Sequence, residues 1–178
     1  EALEHLIRSE KIIIDYKKPS SRLLDKTKKQ NLFFRFYIPK RNKKFGYRIV
    51  YKISNHTITN ILKVLKFNLT EIYHPLDCVH GFVKNRSTLT NAKKHLGNKY
   101  LLKLDIKDFF DSITQNQVEN GLESLGFNKT IANHISTICC LDNHLVQGFP
   151  TSPIIANIVC LNLDEKLFEF CSKNNATY

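Results

Sequence analysis

The stretch LLKLDIKDFFDSI, residues 101–113, combines an apolar run with three aspartates. The run from Leu101 to Ile106 has the composition of a buried strand, yet Asp105 lies inside it. We predict a core strand that ends near Asp105 and leads into a turn and a helix, so that the carboxylate lies at an open sheet end. A carboxylate in that position can bind a divalent cation, because such ions prefer oxygen ligands.

A structural ion pair is the other interpretation of Asp105. Lys103 and Lys107 lie two residues to either side, so all three side chains would project from one face of a strand. Metal-assisted phosphoryl transfer, by contrast, needs carboxylates from at least two strands. Asp108 and Asp111 belong to the turn that follows, where we expect solvated or capping groups. The sequence therefore identifies no second metal ligand, and both interpretations stay open.

Two further segments have the residue types of anion-binding sites. LVQGFPTSPIIANI (145–158) places Gly148 and Pro150 before a predicted helix that is capped by Ser152 and has Pro153 in its first turn, and a helix N-terminus attracts anions. GFVKNRS (81–87) supplies Lys84 and Arg86 just before another predicted helix, which suits phosphate. An ordinary capped loop and a solvated basic turn explain the two segments equally well when each is taken alone.

The net charge of +11 is unevenly distributed along the 178 residues. Residues 1–104 hold 23 Lys/Arg and 7 Asp/Glu, whereas residues 105–178 hold 4 and 9. The basic part favours a polyanion such as nucleic acid, and a merely soluble lysine-rich surface is the alternative. Since we find neither an apolar run that could cross a bilayer nor a signal-peptide layout, we predict a cytoplasmic protein without a membrane partner.

The cysteines and the chain ends give two further expectations. The sequence has five cysteines and no C-x-x-C pair, a pattern that does not favour a zinc site. Cys139 and Cys140 lie in an apolar helical pattern, where reduced thiols pack as small core residues. The chain begins at Glu1 and ends at Tyr178 soon after a long apolar segment, so we expect a fragment of a longer protein.

The elements that hold these residues are predicted to be mainly helical. Short helices are expected over 2–9 and about 20–29, and a β-hairpin over roughly 32–38 and 46–53. Four of the five residues from Lys40 to Lys44 at the hairpin tip are cationic, as in a solvated turn or a phosphate clamp. Later helices are expected near residues 56, 87, 114, 128 and 152. Their predicted inward residues are Ile58, Ile61, Leu62, Leu65, Leu69, Leu89, Ala92, Leu96, Val118, Leu122, Leu125, Ile131, Ile135 and Ile138.

Taken in order, the motifs resemble those of bacterial retron-type reverse transcriptases, which are relatives of group II intron enzymes. The matching pieces are RIVYKI (48–53), HGFVKNRSTLTNAKKH (80–95), LLKLDIKDFFDSI (101–113), ICC (138–140) and LVQGFPTSPIIANI with LNLD (145–164). The resemblance implies an α+β fold: right-hand polymerase fingers over residues 1–100, with helices and a basic β-hairpin, and a partial palm over residues 101–178. It also implies RNA-templated DNA synthesis with Mg²⁺ and deoxynucleotides.

The resemblance further implies roles for single residues. Asp105 matches the first metal-binding aspartate, and the Ile106 carbonyl would bind the same ion. Phe110 matches the bulky gate that excludes a ribose 2′-hydroxyl. Gln147 and Gly148 match the loop that lies against the incoming nucleotide. The remaining implied roles are binding of nucleotide phosphates by Arg48 and contact with template or primer by Lys84 and Arg86.

Two departures from the family pattern accompany the resemblance. Val146 and Phe149 stand where relatives often carry proline and alanine. The Tyr-x-Asp-Asp segment and the thumb are absent, so the chain alone is expected to be inactive.

Partners and alternatives follow from the resemblance only. Retron relatives work with a structured noncoding RNA and its RNA–DNA hybrid, and often with an effector protein in phage defence. One alternative is a defence-associated or abortive-infection reverse transcriptase with untemplated or protein-primed synthesis. The other is a non-catalytic nucleic-acid-binding module.

Overall fold

The computed structural model describes residues 32–40 and 46–178, which form helices and two small antiparallel sheets. The helices predicted over 2–9 and 20–29, and the hairpin-tip residues 41–45, lie outside the described residues. The mixture of helices and small sheets agrees with the predicted α+β class. The elements in chain order are β1 (Phe33–Pro39), β2 (Tyr47–Ile53), α1 (His56–Ile72), α2 (Thr88–Lys94), α3 (Phe109–Ser112), α4 (Gln115–Ser124), α5 (Lys129–Cys139), β3 (Cys140–Leu141), β4 (His144–Leu145) and α6 (Ser152–Lys173).

The predicted β-hairpin is confirmed. β1 pairs with β2 in antiparallel register from Phe33 opposite Ile53 to Pro39 opposite Tyr47. Aromatic and β-branched residues fill both strands, as the pleated surface favours. Successive side chains alternate between the two faces, so Phe33 packs against the core while Phe34 stays 52% exposed.

The core lies mainly between α1, α4, α5 and α6. The predicted helix starts are confirmed at three caps: Asn55 accepts from the backbone N–H of Ile58, Asn128 accepts from that of Ile131, and Thr114 forms a capping box with Gln117. Cys139 and Cys140 are buried as predicted, and burial raises the pKa of the Cys139 thiol to about 12. No described helix combines the length and the apolar character needed to cross a membrane. The largest fully buried apolar side chains are Leu62, Leu69, Leu122, Leu145, Ile155, Ile158 and Val118.

The predicted core strand over residues 101–106 is wrong. This segment has no regular secondary structure, and Leu101, Leu102 and Leu104 are each at least 73% exposed. A strand needs a neighbour to pair its backbone groups, and no strand among the described residues pairs with this one. The helix predicted after the aspartate is confirmed as the single turn α3.

The inward face predicted for α2 is also wrong. Ser87 caps the helix as expected, with a capping box to Thr90. Leu89 and Leu96, however, are 63% and 78% exposed, and Ala92 is exposed as well. The reason is that no described helix or strand packs over this face of the seven-residue helix, so its apolar side chains stay exposed.

Candidate active site

Asp105 is accessible and lies in the segment without regular secondary structure that precedes α3. Among the described residues no ion pair joins its carboxylate to Lys103 or Lys107, so the ion-pair interpretation finds no support in the structure. Ile106 is 53% exposed beside it. An accessible, unpaired carboxylate is the condition on which the metal-binding prediction depends.

The donor set around Asp105 fits part of a magnesium site. Within residues 32–40 and 46–178 no group of three or more His, Cys, Asp or Glu side chains could hold a metal ion. Asp105 supplies one carboxylate, and the carbonyl of Ile106 follows in sequence. Mg²⁺ in phosphoryl-transfer sites keeps several waters and binds one or two carboxylates together with substrate phosphates. These two residues therefore match the oxygen ligands that the ion prefers, and magnesium binding stays a prediction.

Asp108 connects this turn to the hairpin. It precedes α3 in the left-handed conformation, with φ 47 and ψ 47, and its side chain makes no capping hydrogen bond. Lys40, the residue after β1, donates instead to Asp108 Oδ1 at 3.0 Å. This hydrogen bond and the charge of Lys40 lower the pKa of the Asp108 carboxyl. The expected solvated or capping role of Asp108 is therefore corrected to an exposed ion pair.

Asp111 lies on α3 near the same cation. Partial burial raises the pKa of its carboxyl, and the negative charge of Asp108 raises it further. Electrostatic interactions with His144 and Lys40 act in the opposite direction on this pKa. Lys40 therefore balances the two carboxylates that follow Asp105, which makes it the electrostatic link between hairpin and turn.

The loop that contains Gln147 and Gly148 contacts strand β2 of the hairpin. The backbone N–H of Tyr51 donates to the carbonyl of Gln147 at 2.8 Å, and the rings of Phe33 and Phe149 stack with centroids 5.5 Å apart. Gly148 has φ +109, and a Cβ there would lie 2.0 Å from the Tyr51 carbonyl oxygen. Only glycine fits this contact without a shift of the backbone.

The first residue of α6 also contacts the loop that contains Gln147 and Gly148. The predicted N-cap, Ser152, is wrong by one residue: Thr151 is the N-cap, without a side-chain capping bond. The buried Ser152 hydroxyl donates to the carbonyl of Val146 at 2.6 Å. That interaction satisfies a buried carbonyl and fixes the loop just before Gln147.

The basic turn 81–87 has one solvated cation and one structural cation. Lys84 is exposed, and no ion pair joins it to the described part of the chain. Arg86 donates through Nη1 to the carbonyls of Leu76 and Val79, the latter at 2.6 Å, and its Nη2 lies 3.6 Å from Asp77 Oδ1. Sequence reasoning missed this bracing role, which no local pattern signals. Template or primer contact by Lys84 and Arg86 stays a prediction.

Two further residues near the site were missed from the sequence. The ring of Phe82 lies 6.2 Å from that of Phe110, and Asn157 on α6 donates to the carbonyl of Gly81 at 2.9 Å. Both residues occur inside the motifs quoted above, but an aromatic residue in a turn and an asparagine in an apolar helix carry no distinctive signal. These contacts bring turn 81–87 against the predicted gate residue.

Comparison with known proteins decides the family. Residues 38–178 match the family model described as reverse transcriptase (RNA-dependent DNA polymerase). This chain belongs to the reverse transcriptase family. The resemblance to the retron type is confirmed by curated relatives from Escherichia coli. The retron Ec86 reverse transcriptase is 40% identical over 98 residues, covering 55% of this chain and 31% of that protein. The retron Ec73 reverse transcriptase is 36% identical over 153 residues, covering 76% and 47%.

This reverse transcriptase segment is shorter than those relatives. A third relative, the retron Ec83 reverse transcriptase of Escherichia coli, is 31% identical over 157 residues, which cover 80% of this chain and 48% of that protein. The chain therefore spans between about a third and a half of the length of these relatives. The roles of single residues and the boundary between fingers and palm stay predictions.

Proposed function

We propose that this chain is the fingers and partial palm of an RNA-directed DNA polymerase of the retron type. One observation carries the proposal: the β1–β2 hairpin contacts both segments that the family resemblance assigns to the nucleotide. Lys40 binds Asp108 in the turn after Asp105, and Tyr51 binds Gln147 in the glycine loop. The hairpin therefore links two segments that lie far apart in sequence, and a nucleotide site needs such segments to be held in fixed positions.

The proposed reaction is attack of a primer hydroxyl on the α-phosphate of a deoxynucleoside triphosphate, which forms a phosphodiester bond, breaks the bond to the β-phosphate and releases pyrophosphate. Asp105 and the Ile106 carbonyl would hold Mg²⁺, which when bound supplies positive charge to the phosphates and activates the hydroxyl. Arg48, exposed on β2 three residues before Tyr51, would bind the nucleotide phosphates. Gln147 and Gly148 would line the site.

Substrate choice and strand contacts complete the proposal. Phe110, half-buried on α3, would exclude a 2′-hydroxyl and so select deoxynucleotides. Lys84 and Arg86 would lie along template or primer. In this assignment residues 1–100 are the fingers and residues 101–178 belong to the palm.

The proposed template is a structured noncoding RNA, with an RNA–DNA hybrid as product. The charge distribution supports a polyanionic partner, since residues 1–104 hold 23 Lys/Arg against 7 Asp/Glu. An effector protein and a role in phage defence follow from the resemblance to retrons. Both are therefore proposals about the whole protein that rest on this resemblance alone.

The test is DNA synthesis by the full-length protein that contains this sequence. Labelled deoxynucleotide incorporation on a primed RNA template with Mg²⁺ would be compared for wild type, Asp105→Asn and a matched control. Asp142→Asn is suitable, because Asp142 is exposed in the turn between β3 and β4 with φ 52, which asparagine tolerates. We expect Asp105→Asn to lower kcat/KM by roughly a hundredfold or more and Asp142→Asn to leave it unchanged.

The outcomes separate the three candidate functions. If Asp105→Asn retains full synthesis, the catalytic assignment fails and a non-catalytic nucleic-acid-binding module gains support. Sequencing of nucleic acid that copurifies with the intact protein tests the template. A discrete RNA–DNA hybrid supports the retron type, whereas homopolymer or repeat DNA supports untemplated or protein-primed synthesis.

A further inference from the structure

Phe82 has a backbone conformation that its residue type disfavours. Its φ is 59, in the left-handed region, where a bulky residue is an outlier and glycine or asparagine is common. Asn85 in the same turn also has a positive φ, but asparagine adopts that region readily. The neighbouring residue, Gly81, would accept such a conformation at lower cost. Surrounding contacts must therefore hold Phe82 in place, as is typical of residues at functional sites.

Two anchors on either side of Phe82 supply these contacts. The carbonyl of Gly81 accepts a hydrogen bond from Asn157 Nδ2 at 2.9 Å, which ties the start of the turn to α6. Arg86 donates to the carbonyl of Val79 at 2.6 Å, which ties the end of the turn back to its beginning. The backbone at Phe82 is therefore fixed from both directions.

Core packing does not account for this arrangement. The Phe82 side chain is 63% exposed, so its burial contributes little to the fold. Its ring instead lies against Phe110, with centroids 6.2 Å apart and planes tilted by 57°. The ring of Phe109 also lies near that of Phe110, with centroids 5.5 Å apart. Phe110 therefore contacts both its neighbour on α3 and a ring from a remote turn, at distances typical of favourable aromatic pairs.

We propose that Phe82 is a positioning residue for Phe110 and sharpens selection of deoxynucleotides over ribonucleotides. This inference rests on the proposed function, in which the Phe110 ring excludes a 2′-hydroxyl. Exclusion by a ring depends on where the ring lies, and small displacements in such sites have large effects on rate. Loss of the Phe82 ring frees one side of Phe110 and admits the ribose hydroxyl more easily.

The experiment compares single-nucleotide incorporation of dGTP and GTP by the full-length protein with Mg²⁺ on a primed RNA template. For Phe82→Ala we expect the ratio of kcat/KM values, dGTP over GTP, to fall roughly two- to tenfold, the size of one aromatic pair contribution. The change should come from faster use of GTP. A purely structural defect lowers the active fraction for both nucleotides and leaves the ratio intact.

Two variants and a double substitution sharpen the test. Phe82→Tyr keeps the ring and should keep the wild-type ratio, whereas Phe82→Leu, which keeps apolar bulk without a ring, should lower it even if the alanine variant fails to fold. Phe67→Ala is the matched control, since Phe67 is 65% exposed on α1. In a Phe110→Ala background, Phe82→Ala should change the ratio no further, because the two rings act as one unit.

The inference and the proposed function fail in different ways. If wild type selects dGTP and neither Phe82→Ala nor Phe82→Leu lowers the ratio, the positioning role is overturned and the polymerase assignment stands. An additive loss in the Phe110→Ala background also overturns it. A wild-type protein that incorporates neither nucleotide overturns the proposed function and this inference together.

Discussion

Lys40 and Asp108 form an ion pair across 68 positions of sequence, with Nζ 3.0 Å from Oδ1. Lys40 directly follows β1, and Asp108 lies in the turn between Asp105 and α3. The attraction between these two opposite charges therefore helps to hold the hairpin against the turn. Both side chains are partly exposed, so salt should weaken the contact.

Asp108→Asn should loosen the hairpin. We expect amide hydrogen exchange in β1 and β2 to accelerate by at most about fivefold at low salt, the range of exposed ion pairs, and the difference to shrink at high salt. Glu169→Gln is the control, because it removes another exposed pair, Lys173–Glu169 at 3.6 Å on α6. Equal acceleration by both variants, or none by Asp108→Asn, would contradict the link between hairpin and turn.

Gly148→Ala should destabilise the fold more than a matched glycine substitution. The added Cβ would lie 2.0 Å from the Tyr51 carbonyl oxygen at φ +109, so backbone strain and overpacking combine to about 3 kcal/mol of unfolding free energy. Gly97→Ala has a similar φ of +85 but nothing within 4 Å, so about 1 kcal/mol is expected. Urea unfolding measures the free energy of unfolding of both variants. Equal losses would show that the contact between Gly148 and β2 contributes nothing to stability.

Ser152→Ala should destabilise the start of α6. It removes the buried hydroxyl that donates to the Val146 carbonyl at 2.6 Å and leaves that carbonyl unpaired, at a cost of about 1 to 3 kcal/mol. Ser172→Ala is the matched control, since Ser172 donates to the Phe168 carbonyl at 2.8 Å in an exposed setting. Its loss should stay within about 0.5 kcal/mol by urea unfolding. If Ser152→Ala loses no more unfolding free energy than the control, the hydrogen bond between Ser152 and Val146 does not stabilise the loop.

Local signals in the sequence were sufficient for much of the fold. Thr114 was predicted to cap a helix with Val118 and Leu122 inward, and the structure agrees, because a cap and a 3.6-residue period both operate within a few turns. The β1–β2 hairpin was predicted for a similar reason. Each of these features is decided by residues close together in the chain.

Features that depend on distant partners were not predictable in the same way. Leu104 was expected in a core strand, but a strand exists only where another strand pairs with it. The resemblance assigns Gly148 to the loop that lies against the incoming nucleotide, yet the group that Gly148 approaches in the structure is the backbone of Tyr51. The contact of Phe82 with Phe110 joins two motifs whose relative position no local pattern specifies.

Asp164 should make stability depend on pH. Partial burial raises the pKa of its carboxyl above the ordinary 3.8, and the Tyr178 hydroxyl, which donates to Oδ1 at 2.6 Å, opposes that rise. Between 3.8 and the raised value the folded chain binds more protons than the unfolded chain, so stability falls as pH rises through this window. Asp164→Asn cannot ionise and should gain stability relative to wild type across the window, measured by urea unfolding from about pH 3 to 7. Tyr178→Phe removes the opposing hydrogen bond and should widen the window upward. A difference between wild type and Asp164→Asn that stays constant with pH would contradict this assignment.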